Sequence, residues 1–216
     1  MMAAMGPPSS LSRKQLFVYS AGLLALLALS GWKAHDLPTW AMEVAPVLIV
    51  LVLLWLSQRR FPLTSMLYAL IFGHALVLML GGHYTYARVP LGDWLREALA
   101  LSRNPYDGIG HFMQGFVPAI AAREVLLRQT ALQRGDWLFV IVTAMCLAIS
   151  AIYELIEWAA AAALGQGADE FLGTQGDPWD TQKDMLWAWI GAMVAQWALA
   201  RWHDRQLAAL QPGALR

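Results

Sequence analysis

The chain has 216 residues, of which 58% are hydrophobic and only 14% are charged, and its mean hydropathy is +0.47. This composition is too apolar and too poor in charge for an ordinary soluble domain. Fifteen Lys and Arg balance fifteen Asp and Glu, so no basic surface favours nucleic acid as a partner. The one cysteine, Cys146, excludes an intramolecular disulfide. The sequence therefore predicts an all-α polytopic membrane protein, with residues 1–216 forming a single integral membrane domain surrounded by membrane lipids.

Six apolar stretches are long enough to form transmembrane helices, because a spanning helix needs about 20 mostly apolar residues. The predicted helices cover approximately residues 15–32, 40–57, 63–82, 109–127, 137–163 and 183–201. With both termini in the cytoplasm, ten Lys and Arg lie on the cytoplasmic side and five lie outside, as the positive-inside rule requires. We therefore expect a bundle of six transmembrane helices in the bacterial cytoplasmic (inner) membrane, with long outer loops at 83–108 and 164–182.

Several polar residues are predicted to have only a structural role. Glu43 is the one acid at membrane depth in the first two helices, which are otherwise rich in Leu, Val and Ala and are expected to be scaffold. Glu124 is expected to form a local ion pair with the basic residues beside it, and His203 and Asp204 to be solvated. His74, alone in the middle of the third helix, is expected to be a packed histidine. None of these residues is assigned to a functional site.

A second set of polar residues is predicted to meet at the outer side of the membrane. Asp107 and His111 are four residues apart in the first turns of the fourth helix, so they share a face. Glu154 and Glu157 lie one turn apart in the outer half of the fifth helix. The remaining members lie at the start of the sixth helix and the end of the third, and are Asp177, Asp180, Asp184 and His83. Ionisable residues in spanning segments usually mark a functional site, so we expect one outward-facing polar pocket.

The residue types of this pocket indicate a divalent metal ion. Imidazole with carboxylate oxygens is a ligand set for Zn²⁺, Mn²⁺ or Fe²⁺, and carboxylates alone suit Mg²⁺ or Ca²⁺. Six acids at close range also need a counter-charge from a metal, from bound protons or from basic side chains. We expect Zn, Mn or Mg, bound by His111, Glu154, Glu157 and Asp184, with His83, Asp107, Asp177 and Asp180 as further ligands or neighbouring partners.

Three functions are compatible with such a pocket. In a metal-dependent hydrolase or transferase directed at a lipid or another envelope component, Glu157 or Asp180 would be the general base. Shared protons would instead favour a proton-coupled small-solute transporter. In a structural or partner-binding membrane protein, the polar residues would only bind one another. Serine-hydrolase, zinc-protease and phosphate-loop motifs are missing from the sequence, so whether the chain is an enzyme stays open.

The motifs of residues 62–202 are long and distinctive. They include His83-Tyr84-Thr85-Tyr86, Arg103-Asn104-Pro105-Tyr106-Asp107, Gly110-His111-Phe112, Tyr153-Glu154, Phe171-Leu172-Gly173-Thr174-Gln175-Gly176-Asp177 and Trp179-Asp180. This pattern resembles the YjdF-type family of bacterial inner-membrane proteins. The resemblance implies a multi-spanning protein of the cytoplasmic membrane and does not imply a particular activity. Gly108 departs from the family pattern, in which a basic residue usually follows the aspartate.

Overall fold

A computed structural model of the chain describes residues 10–164 and 175–210. Within these residues the chain forms seven α-helices and a short 3-10 turn, Tyr86–Arg88, and no strand. The α-helices are α1 (Arg13–Gly31), α2 (Leu37–Ser57), α3 (Ser65–Tyr84), α4 (Pro90–Ala98), α5 (Tyr106–Gln129), α6 (Asp136–Leu164) and α7 (Asp180–Leu210). The all-α prediction is confirmed. Residues 165–174 of the predicted second outer loop lie outside the described residues.

Four of the described helices, α1, α2, α3 and α6, are long and apolar enough to cross a membrane. The long helices α5 and α7 are more polar, and several of their polar side chains are buried inside the bundle. Successive long helices run in opposite directions, so the starts of α5 and α7 lie at the same end of the bundle as the ends of α3 and α6. Multiple membrane crossings are thus supported, while six remains a prediction.

Local sequence signals explain where the helices begin. Ser12 and Gln15 form a capping box at the start of α1, and the Asp36 carboxylate accepts a hydrogen bond from the Thr39 backbone N–H at 2.9 Å at the start of α2. The predicted loop 83–108 contains α4, which the loop prediction did not include. A proline favours the first turn of a helix, and Pro90 occupies that position in α4. The connection between α3 and α5 therefore contains regular structure.

The backbones of α5 and α7 touch where two glycines face the opposite helix. A Cβ atom added at Gly115 would overlap the carbonyl group of Ala188, and one added at Gly191 would overlap the carbonyl oxygen of Phe112. Small residues permit this close approach of helices in membrane bundles. The contact fixes α5 against α7 along their length and brings the polar residues at the starts of both helices together.

A buried polar network joins α3, α5 and α7 at the opposite end of the bundle. Glu124 and His203 are both 0% exposed, and His203 Nε2 lies 3.0 Å from Glu124 Oε2. Glu124 also accepts hydrogen bonds from Arg128 Nη1 at 2.7 Å and from the Thr64 hydroxyl at 2.8 Å. Arg123 donates to His203 Nδ1 at 2.9 Å. The expected ion pair of Glu124 is confirmed, but the expectation that His203 is solvated is wrong, because α7 continues past the predicted end of its apolar stretch.

Candidate metal centre

His111 is the centre of a buried group of carboxylates at the other end of the bundle. Its Nε2 atom lies 3.5 Å from Asp107 Oδ1 and 4.0 Å from Asp184 Oδ1, and its Nδ1 atom lies 3.7 Å from Glu154 Oε1. All four side chains are at least nine-tenths buried. We call Asp107, His111, Glu154 and Asp184 the His111 cluster. Its members come from α5, α6 and α7, so three helices must pack before the cluster exists.

Gln114 orients the imidazole ring of His111. It lies one turn further along α5, and its Oε1 atom is 2.9 Å from His111 Nδ1. With an amide oxygen as acceptor, Nδ1 carries the ring hydrogen and Nε2 keeps a lone pair. That lone pair is on the side of the ring facing Asp107 and Asp184. Fixing one ring nitrogen so that the other can bind a metal is the usual arrangement of histidine ligands.

Three members of the cluster are spaced to share one metal ion. One ligand atom each from Asp107, His111 and Asp184 lie within 4.8 Å of one another, and all three residues are buried. Two ligands of one ion lie at most about 4.4 Å apart when each bond is about 2.2 Å long, so small side-chain movements would close the site. Glu154 Oε1 and Asp184 Oδ1 are buried oxygens with no hydrogen-bond partner among the described residues. A cation held by Asp107, His111 and Asp184 would satisfy the Asp184 oxygen, whereas Glu154 lies outside this set of three ligands.

Two further predicted residues, Asp177 and Asp180, form ion pairs at the rim. Asp180 is buried and accepts a short hydrogen bond from Arg103, whose guanidinium also lies 3.8 Å from Asp177. Lys183 donates a hydrogen bond to Asp177, and this contact holds the pKa of Asp177 below its usual value. Arg103 and Lys183 are thus the counter-charges of the rim, whereas the His111 cluster lies deeper.

Glu43 reaches the same region from α2, although the sequence predicts that this helix is scaffold. Its carboxylate is 5% exposed and accepts a hydrogen bond of 3.3 Å from the Tyr153 hydroxyl. The hydroxyl of Tyr86 is also within hydrogen-bonding reach of Glu43, and burial raises the pKa of Tyr86 well above its usual value. The signal that could have found Glu43 is its depth, since it lies in the first turns of a helix that begins at the cluster end.

The remaining predicted ligands lie at the edge of the cluster or away from it. Glu157 is half-buried and within electrostatic range of Glu154 and Asp107. His83 Nδ1 lies 2.7 Å from the carbonyl oxygen of Ser30, which ties the end of α3 to the end of α1. The structure therefore brings together His111, Asp107, Glu154 and Asp184, with Glu157 beside them. His83 lies apart from this cluster, in the contact between α1 and α3.

The sequence was compared with known proteins. A family model described as "Predicted membrane protein (DUF2238)" matches residues 15–205. The chain is 57% identical over 185 residues to the inner membrane protein YjdF of Escherichia coli (strain K12), which covers 86% of this chain and 88% of that protein. No solved structure matches. The resemblance seen in the motifs is confirmed, and the family match extends over α1 and α2 as well.

Proposed function

The chain belongs to the DUF2238 family of predicted membrane proteins, and we propose that its His111 cluster binds a divalent metal ion, Zn, Mn or Mg, in a hydrolase or transferase acting on a lipid or another envelope component. The observation that carries this proposal is the unsatisfied buried oxygen Asp184 Oδ1, which belongs to a residue of the three-ligand set. An unpaired buried carboxylate oxygen is costly. Because Asp184 is one of three residues with ligand atoms at near-coordinating spacing, a cation is the simplest partner for this oxygen.

The membrane arrangement proposed for this function has six spans. Helix α5 has 24 residues and is about 36 Å long, and α7, with 31 residues, is longer still, so each exceeds a hydrocarbon core of about 30 Å. The polar side chains that these helices bury face other helices, as intramembrane polar residues usually do. With cytoplasmic termini, the His111 cluster faces the outer compartment and the Glu124 network faces the cytoplasm.

The residues of the cluster divide into ligands and proton acceptors. Asp107, His111 and Asp184 would hold the ion, which when bound polarises substrate oxygens and makes water a stronger acid. Glu154 lies against the other ring nitrogen of His111, and Glu157 follows one turn later on α6. These two carboxylates are the candidate proton acceptors beside the ligand set. Asp180 is less suited to that role because Arg103 already binds its carboxylate.

A proton-coupled transporter is the main alternative from a different functional class. It would need a polar path from the cluster to the other end of the bundle. A cavity does run from His111 and Gln114 toward that end, but apart from His74 and Ser57 its described lining beyond Gln114 is almost entirely apolar. An enzyme site needs access from one side only, so the apolar lining favours the enzyme.

The proposal is tested by measuring bound metal. Protein purified in detergent is chelated mildly, loaded with Zn²⁺, Mn²⁺ or Mg²⁺, desalted and analysed by elemental mass spectrometry. We expect one ion per chain in the wild type and its loss in Asp184→Asn and His111→Ala. The matched control is Asp93→Asn, which removes an acid of α4 that pairs with Arg96. Wild-type protein that stays free of metal under every loading condition would overturn the proposal.

A further inference from the structure

A large apolar cavity leads from the His111 cluster into the membrane-spanning part of the bundle. Its volume is about 700 Å³, within the range of roughly 300–1,000 Å³ that is typical of small-molecule sites. Helices α1, α2, α3, α5 and α6 contribute its walls. Along α5 the lining runs from Gly110 to Val125, a rise of about 22 Å. The cavity is therefore long as well as large.

Polar atoms are concentrated at one end of this cavity. Tyr86, His111, Gln114 and Tyr153 line the end next to the His111 cluster. Apolar side chains such as Val47, Leu51 and Val117 form most of the rest. A ligand that matches this distribution has a polar group at one end and a hydrocarbon chain at the other.

The apolar part of the cavity opens sideways, toward the surroundings of the bundle. Leu53, Val125 and Ile149 line it and are also 55%, 45% and 42% exposed on the outer surface of the bundle. At the depth of the spanning helices that surface contacts hydrocarbon. Water in such a cavity would find too few hydrogen-bond partners, and an empty cavity would forfeit van der Waals contacts. A chain from the bilayer itself is the occupant that can both enter and fill it.

Two prolines line the walls of the cavity. Pro46 lies inside α2 and Pro118 inside α5, and both line the cavity. A proline within a helix removes one backbone hydrogen bond and tends to bend the helix. Prolines on two of the walls are suited to keeping those helices apart while α5 stays packed against α7.

We propose that the cavity binds an acyl chain of a membrane glycerophospholipid, so that the phosphate and glycerol of the same molecule lie at the His111 cluster. This inference rests on the proposed function, because it names the substrate class of that site. Leaving the bilayer for an apolar cavity gives the chain no hydrophobic gain, so the polar end must provide the specificity. There a cation held by Asp107, His111 and Asp184 would supply the positive charge that a phosphate requires.

His74 supports this orientation of the lipid. It lines the cavity on α3, and its Nε2 atom is covered and without a hydrogen-bond partner among the described residues. A buried imidazole nitrogen without a partner is costly. A glycerol hydroxyl or ester oxygen next to the cluster would give His74 a partner, with the hydrocarbon chain continuing along the apolar walls.

Photochemical crosslinking in vesicles tests the proposal. The full-length protein is reconstituted with a phosphatidylglycerol that carries a photoactivatable group at the end of one acyl chain, and labelled peptides are identified after illumination. We expect labels on cavity residues such as Leu51 and Val117 in the wild type. Ala121→Phe and, from the opposite wall, Val50→Phe fill the cavity without touching the cluster, and should abolish those labels. The control Ala144→Phe adds the same side chain at an exposed position of α6 and should preserve them.

The outcomes separate this inference from the proposed metal site. Labels confined to the outer surface, or cavity labels unchanged by both filling variants, would overturn acyl-chain binding even if metal is bound. Specific cavity labels in a protein that binds no metal would retain the chain site and overturn the metal-dependent function. Asp184→Asn, which is expected to lose the metal, should weaken the cavity labels because the polar end of the lipid loses its partner, whereas Ala121→Phe should abolish the labels with the metal still bound.

Discussion

Replacing Glu124 with Gln is expected to destabilise the protein strongly, although the two side chains have nearly the same size. Glu124 is fully buried and accepts hydrogen bonds from the Thr64 N–H, the Thr64 hydroxyl, Arg128 and His203. Arg123 donates to His203 Nδ1, and an arginine cannot accept. His203 must therefore donate through Nε2, and all the groups around the Glu124 carboxylate are donors.

A Gln side chain at this position would destabilise the fold for two reasons. Its amide nitrogen is itself a donor, so it would face another donor, and Arg128 would lose the charge that compensates its own burial. Removing one partner of a buried ion pair costs about 3–5 kcal/mol. That is a large part of the roughly 5–15 kcal/mol by which proteins are stable. Glu124→Gln should therefore unfold at a clearly lower temperature than the wild type.

Cys146 provides the assay for this prediction. It is the one cysteine of the chain and is 0% exposed, so a thiol-reactive dye reports the temperature at which the core opens in detergent. The control is Glu97→Gln, which makes the same chemical change at an exposed position of α4 and should leave the transition within about 0.5 kcal/mol of the wild type. If Glu124→Gln and Glu97→Gln open at the same temperature, the network does not stabilise the fold and the reasoning fails.

Two further predictions also measure the temperature at which Cys146 becomes accessible to the thiol-reactive dye, and a third uses labelling by a maleimide. Gly115→Ala forces a methyl group into the backbone of α7 and should cost about 1–3 kcal/mol or more, seen as earlier exposure of Cys146. Arg103→Gln leaves the buried Asp180 carboxylate without its ion-pair partner and should cost roughly 1–3 kcal/mol, while neutralising both partners in the double variant should recover part of the loss. Glu97→Cys should be labelled by an impermeant maleimide added outside intact cells, whereas labelling only after lysis would reverse the proposed orientation.

Much of the candidate site could be predicted because the position of a residue along a spanning helix determines its depth in the membrane. A helix rises by 1.5 Å per residue, so once helix directions alternate, the position of an acid along its helix gives its level in the membrane. This reasoning correctly brought His111, Asp107, Glu154 and Asp184 to one level, and the structure places them within 4.0 Å contacts of His111. Depth alone does not give rotation about the helix axis. The sequence therefore could not show that Glu157 is only half-buried beside the cluster.

The residues that sequence reasoning misjudged all depend on partners far away in the chain. Glu43 is the one ionisable residue of its own helix, and its hydrogen-bond partner Tyr153 is 110 residues away. The sequence predicts a solvated His203 because the apolar stretch of the last helix ends before it. In the structure His203 is buried against Glu124, which lies 79 residues earlier in the chain. Composition of a single segment cannot reveal such pairs. The cavity could not be predicted for the same reason, since its walls come from five helices.

The two polar clusters of this bundle differ in how completely their charges are satisfied, and this difference separates structure from function. Both oxygens of the Glu124 carboxylate accept hydrogen bonds, and Arg128 supplies a positive charge beside them. A buried carboxylate that is satisfied in this way rigidifies a fold. In the His111 cluster three carboxyl groups surround one imidazole, and Glu154 and Asp184 each keep an oxygen without a partner among the described residues. A cluster needed only for stability would gain from a donor at those oxygens, so their unsatisfied state is the reason to look for a ligand there.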